Sequence, residues 1–266
     1  MELLLKYGHA SQRLRLPAGM RSAVLTPGRT GGAGAEADLV RAALAEPIGR
    51  PRLARLVTPG QRVVVVTADI TRPCPSDRLL PALLDEGKRI VRAVAGDPVL
   101  AHRAGCAALD AFGRATVVRP ADVVVIGAGG SPKDINLYQA QKALDNGRHI
   151  VRPGGVLLLV AECPEGLGHH TFEAWMRDPG GLDGILARIR REFEIGGHKA
   201  AAVAMAMKQA AVYLVSSLPQ ELARSLHFVP FGDLGAAMTA ALGAVGPDPF
   251  VAILPEGGSV LPSVAV

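Results

Sequence analysis

Three clusters of residues have types and spacings suited to chemistry. The first is Thr67-Ala68-Asp69-Ile70-Thr71-Arg72-Pro73-Cys74-Pro75-Ser76, directly after the β-branched run Gln61 to Thr67. Ligands of open α/β sheets bind beyond the carboxyl ends of strands, where this loop would sit. Arg72 offers a rigid fork for a carboxylate or phosphate, Thr71 a hydroxyl and Asp69 an acceptor. An Asp69–Arg72 pair bracing a turn is the plainer alternative. The second cluster is Gly127-Ala128-Gly129-Gly130-Ser131-Pro132-Lys133-Asp134, which does not match G-x-G-x-x-G. Ser131, Pro132 and Asp134 suggest a capping-box-like helix start, with the glycines able to admit an anion or simply to turn. The third is Tyr138, Gln139 and Lys142, three and four apart on one helix face, an arrangement suited to orienting a small carboxylate. The seven histidines are acid–base or metal candidates, but they are scattered. His169 and His170 are adjacent rather than four apart, and Gly168 before them suggests a loop. His198 follows Gly196-Gly197 at a helix start, and His102 falls in another helix.

These clusters need a scaffold. Short apolar runs at 61–67, 122–126, 155–161, 211–215 and 250–254 read as strands buried on both faces. Helical patterns lie between them at 35–45, 76–84, 98–112, 133–144, 198–209 and 234–242. That alternation predicts an α/β fold of two units with mostly parallel sheets, the N-terminal one truncated. Leu3 to Leu5 and Leu14 to Leu25 read as extra antiparallel strands. We expect residues 1–86 to form a partial N-terminal domain, and 87–266 to hold its remainder and a C-terminal α/β domain. One stretch conflicts with itself: Asp85-Glu86-Gly87-Lys88 looks like a strand-to-strand turn, yet the pattern before it reads as helix.

Composition narrows the classes. With 266 residues, 49% hydrophobic and 20% charged, the chain can bury a sizeable core and is not disordered. Aromatics are only 4%, so that core rests on Ala, Val and Leu. The net charge of +5 is spread along the chain without basic runs and interleaved aromatics, which argues against nucleic acid as a partner. Cys74, Cys106 and Cys163 lack metal or disulfide spacing, pointing to a reducing compartment. No run reaches the ~20 apolar residues of a membrane span, and the N-terminal apolar run is too short for a signal peptide. A cytoplasmic protein is expected.

Motif order adds more. Asp69-x-Thr71-Arg72-Pro73-x-Pro75, Ala95-Gly96-Asp97, His102-x-x-Gly105-Cys106, Gly129-Gly130-Ser131-Pro132-x-Asp134-x-Asn136-x-Tyr138-Gln139 and Gly196-Gly197-His198-Lys199-Ala200 follow one another. In this the chain resembles the nickel-dependent lactate racemase (LarA) family of 2-hydroxyacid racemases and epimerases. The resemblance implies a nickel pincer nucleotide that takes a hydride from C2 of a small 2-hydroxy acid and returns it to the other face. It places Asp69, Thr71, Arg72 and His198 at the cofactor, with Arg72 also reaching the substrate. Tyr138, Gln139 and Lys142 would hold the substrate carboxylate. It also implies a long central stretch with two catalytic histidines, a G-G-R-K loop and a nickel-ligating histidine, none of which is present here. The single Leu84-Asp85-Glu86 stands where the ends of that stretch would meet, so an internal deletion is the simplest expectation. No catalytic or metal-binding residue is therefore assigned. The resulting expectations are an impaired racemase or a non-catalytic remnant that binds a nucleotide or carboxylate. An exposed N-terminal sheet would favour self-association.

Overall fold

The computed structural model describes residues 1–28, 35–58, 82–84 and 90–265. Residues 1–27 with 115–266 form one compact unit and residues 28–114 another. In chain order, β1 (Glu2–Tyr7), β2 (Ala10–Arg15) and β3 (Ser22–Val24) precede α1 (Glu36–Ala45), β4 (Ala82–Leu84), β5 (Ile90–Ala93) and α2 (Pro98–Gly113). Then come β6 (Arg114–Val117), β7 (Ala121–Gly127), α3 (Leu137–Gly147), β8 (Val151–Val160), α4 (His170–Met176), α5 (Gly181–Arg191) and α6 (Gly197–Gln209). The chain closes with β9 (Ala211–Val215), α7 (Gln220–Ser225), β10 (Val229–Phe231), α8 (Leu234–Val245), β11 (Val251–Leu254) and β12 (Leu261–Val264).

The larger unit is built on a six-stranded parallel sheet of order β10-β9-β8-β7-β11-β3. Its central strands are unbroken apolar runs because both faces are covered. Alternate residues divide between the two sides. Val124, Ile126, Leu157 and Leu159 pack with the apolar sides of α3, α4 and α6, including Trp175 and Phe172. Val123, Val125, Leu158 and Val160 pack instead with Leu234, Ala237 and Met238 of α8 and with Leu5 and Leu14 of the β1–β2 hairpin. The α/β fold with a mostly parallel sheet is therefore present as expected.

The segment expected as one antiparallel strand over 14–25 is divided: Leu14 ends the hairpin, while Ser22–Val24 joins the main sheet parallel to β11. A second correction concerns residues 82–84, the described end of the helix expected at 76–84. Ala82–Leu84 is a strand, not the end of a helix, and pairs antiparallel with Ile90–Ala93 across the Asp85-Glu86-Gly87-Lys88 segment. The strand pairing thus prevailed over the helical spacing at 82–84; the turn expected at 85–88, the rest of the helix expected at 76–84 and the strand expected at 61–67 lie outside the described residues.

In residues 28–114, the Ala95-Gly96-Asp97 motif has a structural explanation. Ala95 O accepts from Ile48 N at 2.8 Å, and Asp97 N donates to Ile48 O at 2.8 Å. A Cβ on Gly96 would lie 2.2 Å from the Ile48 carbonyl oxygen, so only glycine allows this crossing. Asp97 then caps α2, accepting from Val99 N at 3.0 Å and Leu100 N at 3.2 Å. Among the described residues, no helix is long and apolar enough to cross a membrane.

At the carboxyl edge of the main sheet, Glu256 accepts from Lys6 at 2.7 Å and from Lys133 at 2.8 Å. Burial pushes the Glu256 carboxyl upward, but these two ammonium groups outweigh it and hold it below its ordinary value. A depressed carboxylate contributes stability above its unfolded value of about 4.3, lost as pH falls through the lower folded value. Asp122 adds to the same trend: burial is opposed by bonds from Phe250 N, Arg152 and Arg119, leaving it lowered. Urea midpoints measured from pH 7 downward should therefore fall below about pH 4, and less steeply in Glu256→Gln. Equal slopes for both proteins would contradict this role for Glu256.

Candidate functional site

The N-terminal ends of α3, α4 and α6 meet beyond the carboxyl ends of the parallel strands. Asn136 takes an extended conformation and caps α3, its Oδ1 accepting from Gln139 N at 3.0 Å. The cap is thus five residues beyond Ser131, and the helix begins at Leu137 rather than Lys133. The reason lies in Asp134, which is fully buried and turned inward to accept from Gly8 N at 2.7 Å and Glu162 N at 3.1 Å. Residues 131–135 consequently close in turns.

The first amides of α3 are already used. Leu137 N donates to Gly166 O at 3.0 Å, Tyr138 N to Leu167 O at 3.2 Å and Ala140 N to Asn136 O at 3.1 Å. With Gln139 N on the Asn136 side chain, amides 137–140 at the start of α3 are all taken and not offered to an anion. Gly168 shapes the covering loop: its φ is +79°, and a Cβ there would lie 2.2 Å from the Asn136 side chain.

Tyr138, Gln139 and Lys142 do share one side of α3, and Lys142 Nζ donates to Gln139 Oε1 at 2.7 Å. Lys199, on the first turn of α6, reaches the same place. Its Nζ donates to Tyr138 O at 3.0 Å and lies 3.9 Å from the Tyr138 ring centroid. His169 stacks on Tyr138 at 4.9 Å and on His170 at 5.0 Å. His169 Nδ1 is buried without a hydrogen-bond partner and lies against Gly196, where a Cβ would come within 2.7 Å of it. His170 opens α4 rather than lying in a loop. His198, one residue before Lys199, accepts from Gly196 N through Nδ1 at 3.3 Å and stacks with Phe193 at 5.6 Å.

The segment leading into α6 is fixed from below. Glu194 accepts from Trp175 Nε1 at 2.9 Å and Thr171 Oγ1 at 3.2 Å. The indole bond is the main cause of its carboxyl lying below the ordinary value, with Thr171 and the nearby Arg188 acting in the same direction.

Sequence spacing therefore brings the α3 trio together correctly, and the fold adds Lys199 and His169, which spacing missed. The motif Gly196-Gly197-His198-Lys199-Ala200 was the available signal for Lys199; its partner is 61 positions away. Asp69, Thr71 and Arg72 lie outside the described residues. All seven histidines lie inside them, yet no group of three His, Cys, Asp or Glu side chains among the described residues could hold a metal ion.

Residues 7–95 match the model of the lactate racemase N-terminal domain, and residues 117–262 match that of the C-terminal domain. The chain is 33% identical over 189 residues to a lactate racemase of Thermoanaerobacterium thermosaccharolyticum, covering 69% of this chain and 44% of that protein. It is 28% identical over 188 residues to a lactate racemase of Lactiplantibacillus plantarum, with the same shares covered. In both comparisons the match spans less than half the length of the relative. The fold is that of the lactate racemase apoprotein from Thermoanaerobacterium thermosaccharolyticum, with a TM-score of 0.81 at 20% identity, covering 98% of this chain and 100% of that one. With both domain models matched in order, this chain belongs to the lactate racemase family.

Proposed function

We propose that the chain binds a small 2-hydroxy acid and is by descent a racemase or epimerase inverting C2, with turnover impaired. The observation that carries the reading is the convergence of Gln139, Lys142 and Tyr138 on α3 with Lys199 on α6. Lys142 and Gln139 supply a cation and an amide spaced for one carboxylate, with the phenol of Tyr138 one residue away. Lys199 keeps the Tyr138 ring and the start of α3 in place, limiting the ordering left for the ligand to impose. By the family resemblance, Arg72 is proposed as a further carboxylate fork, Asp69 and Thr71 as cofactor contacts, and His198 as a planar wall.

The nickel pincer nucleotide implied by the family would supply hydride transfer at C2. The family resemblance places its one nickel-ligating histidine in the long central stretch, for which this chain has no counterpart. No step through that group is therefore derived. This mismatch favours a second reading, a non-catalytic member that keeps only carboxylate recognition.

One experiment separates the two readings. The chain is produced together with the enzymes that make the pincer nucleotide, then assayed for bound nickel and for interconversion of D- and L-lactate. Nickel with turnover would overturn the non-catalytic reading, whereas absence of both would overturn the racemase reading for this chain. Binding is tested independently of turnover. Replacing Lys142 by Met should weaken lactate binding about 10- to 100-fold in calorimetric titration, the loss expected for one charge-assisted hydrogen bond. An unchanged affinity would remove Lys142 from the site.

A further inference from the structure

The smaller unit carries its own pair of side chains suited to a metal, His102 and Cys106 on α2. Ala101, Gly105 and Ala108 recur at helical spacing and seat this helix. Ala101 and Ala108 are buried, and a Cβ on Gly105 would lie 3.7 Å from the Val94 side chain. His102 and Cys106 each follow a seating residue by one position, about 100° further round the helix, and both are exposed. Four residues apart, they are neighbours on one face. The Cys106 sulfur lies 3.8 Å from His102 Nδ1 and 3.7 Å from His102 Nε2.

That geometry has a chemical meaning. A sulfur almost equidistant from both ring nitrogens is in line with neither lone pair, so no directed S–H···N bond accounts for the contact. A tetrahedral zinc ion bonds a thiolate at about 2.3 Å and an imidazole at about 2.0–2.1 Å, which holds sulfur and nitrogen about 3.5 Å apart. The helix already keeps the two side chains close to that separation, and turning the exposed imidazole aims one nitrogen at a shared ion. Asp110, a further turn along, is engaged with Arg114 at 3.2 Å. The protein donors are therefore two rather than three, and water takes the remaining positions.

We infer that His102 and Cys106 form a surface site for zinc(II). A thiolate and an imidazole favour this borderline-soft ion over magnesium and calcium, which take oxygen ligands. On binding, the Cys106 thiol yields its proton to solvent and one His102 nitrogen gives its lone pair. Cysteine spacing could not reveal the site, because the second donor is a histidine four positions earlier. The site uses residues 102 and 106 alone, so it stands whether or not the chain binds a hydroxy acid.

Zinc chloride titrated into the full, reduced chain, made without the pincer-forming enzymes, tests this. Competition with a chromophoric chelator should show about one equivalent bound per chain. His102→Ala and Cys106→Ser should each weaken that binding at least about tenfold, since even loss of an outer-shell partner of a metal site costs that much. Cobalt(II) in place of zinc should give a near-ultraviolet thiolate-to-metal absorption band, lost in Cys106→Ser. Both side chains lie off the seating face, so circular dichroism should show the helix content of both variants unchanged. Absence of zinc binding by the unaltered chain, or zinc affinity unchanged in either variant, would overturn the site. One zinc per two chains, with association in sedimentation on adding zinc, would replace the two-donor site with one shared between copies and would also overturn it.

Discussion

Replacing Asp134 by Ala should destabilise the larger unit by about 3 kcal/mol, and Asp134→Asn by about 1 kcal/mol. The Asp134 side chain is fully buried, with Oδ2 accepting from Gly8 N at 2.7 Å and Glu162 N at 3.1 Å. These donors belong to the tip of the β1–β2 hairpin and to the segment leaving β8. One carboxylate thus ties the N-terminal hairpin to the sheet it covers. Alanine removes the acceptor and leaves both amides to find another, at about 1–3 kcal/mol for each one left dry. Asparagine keeps an acceptor for both amides, and its nitrogen falls where Oδ1 has no protein partner. Trp175 is the only tryptophan, so urea unfolding followed by its fluorescence reports this unit alone. Destabilisation by Asn equal to that by Ala would show that the acceptor bonds do not carry the effect.

The same substitution should reach the candidate site. Asp134 O accepts from Cys163 N at 2.9 Å and Ile135 O from Glu165 N at 2.9 Å. Those bonds seat the loop whose Gly166 and Leu167 carbonyls cover the start of α3. A loosened Asp134 therefore loosens Tyr138, and Asp134→Ala should weaken carboxylate binding even under conditions where the protein stays folded. This connection could not be read from residue spacing, which took Asp134 for part of a helix start.

What was legible in the sequence followed a simple physical division. The β7, β8, β9 and β11 runs announced themselves because a strand covered on both faces has no polar side to disguise it. The trio on α3 was legible because helix periodicity is local. Residues 82–84 misled because Ala-Leu-Leu suits a helix and a strand alike, and the pairing with β5 decided between them. The roles of His169, Glu194 and Lys199 stayed hidden for a related reason. Each depends on partners from another element, as when Lys199 finds Tyr138 across 61 positions, and no window along the chain contains such a contact.

Gly197 shows two local rules in conflict, and their magnitudes decide the outcome. It is the first residue of α6, where replacing Gly by Ala ordinarily gains up to about 1 kcal/mol in helix propensity. Here a Cβ would lie 2.4–2.6 Å from three atoms of the Trp175 indole. The indole cannot yield: it is fully buried, its Nε1 is bonded to Glu194, and the Arg188 guanidinium carbon lies 4.4 Å from its ring centroid. Overpacking of this kind costs about 1–3 kcal/mol and more where neighbours are fixed, so the clash exceeds the propensity gain. Gly197→Ala should therefore destabilise by about 2 kcal/mol net, with altered Trp175 fluorescence in the folded state. Gly243 on α8 supplies the contrast, since a Cβ there meets nothing within 4 Å. Gly243→Ala should stabilise by about 0.5–1 kcal/mol. Because the clash pushes on the turn that carries His198 and Lys199, Gly197→Ala should also weaken hydroxy-acid binding, whereas Gly243→Ala leaves it unchanged. Stabilisation by both substitutions would mean that α6 can move away from Trp175 at little cost, and the close seating of Lys199 on Tyr138 would then lose its structural cause.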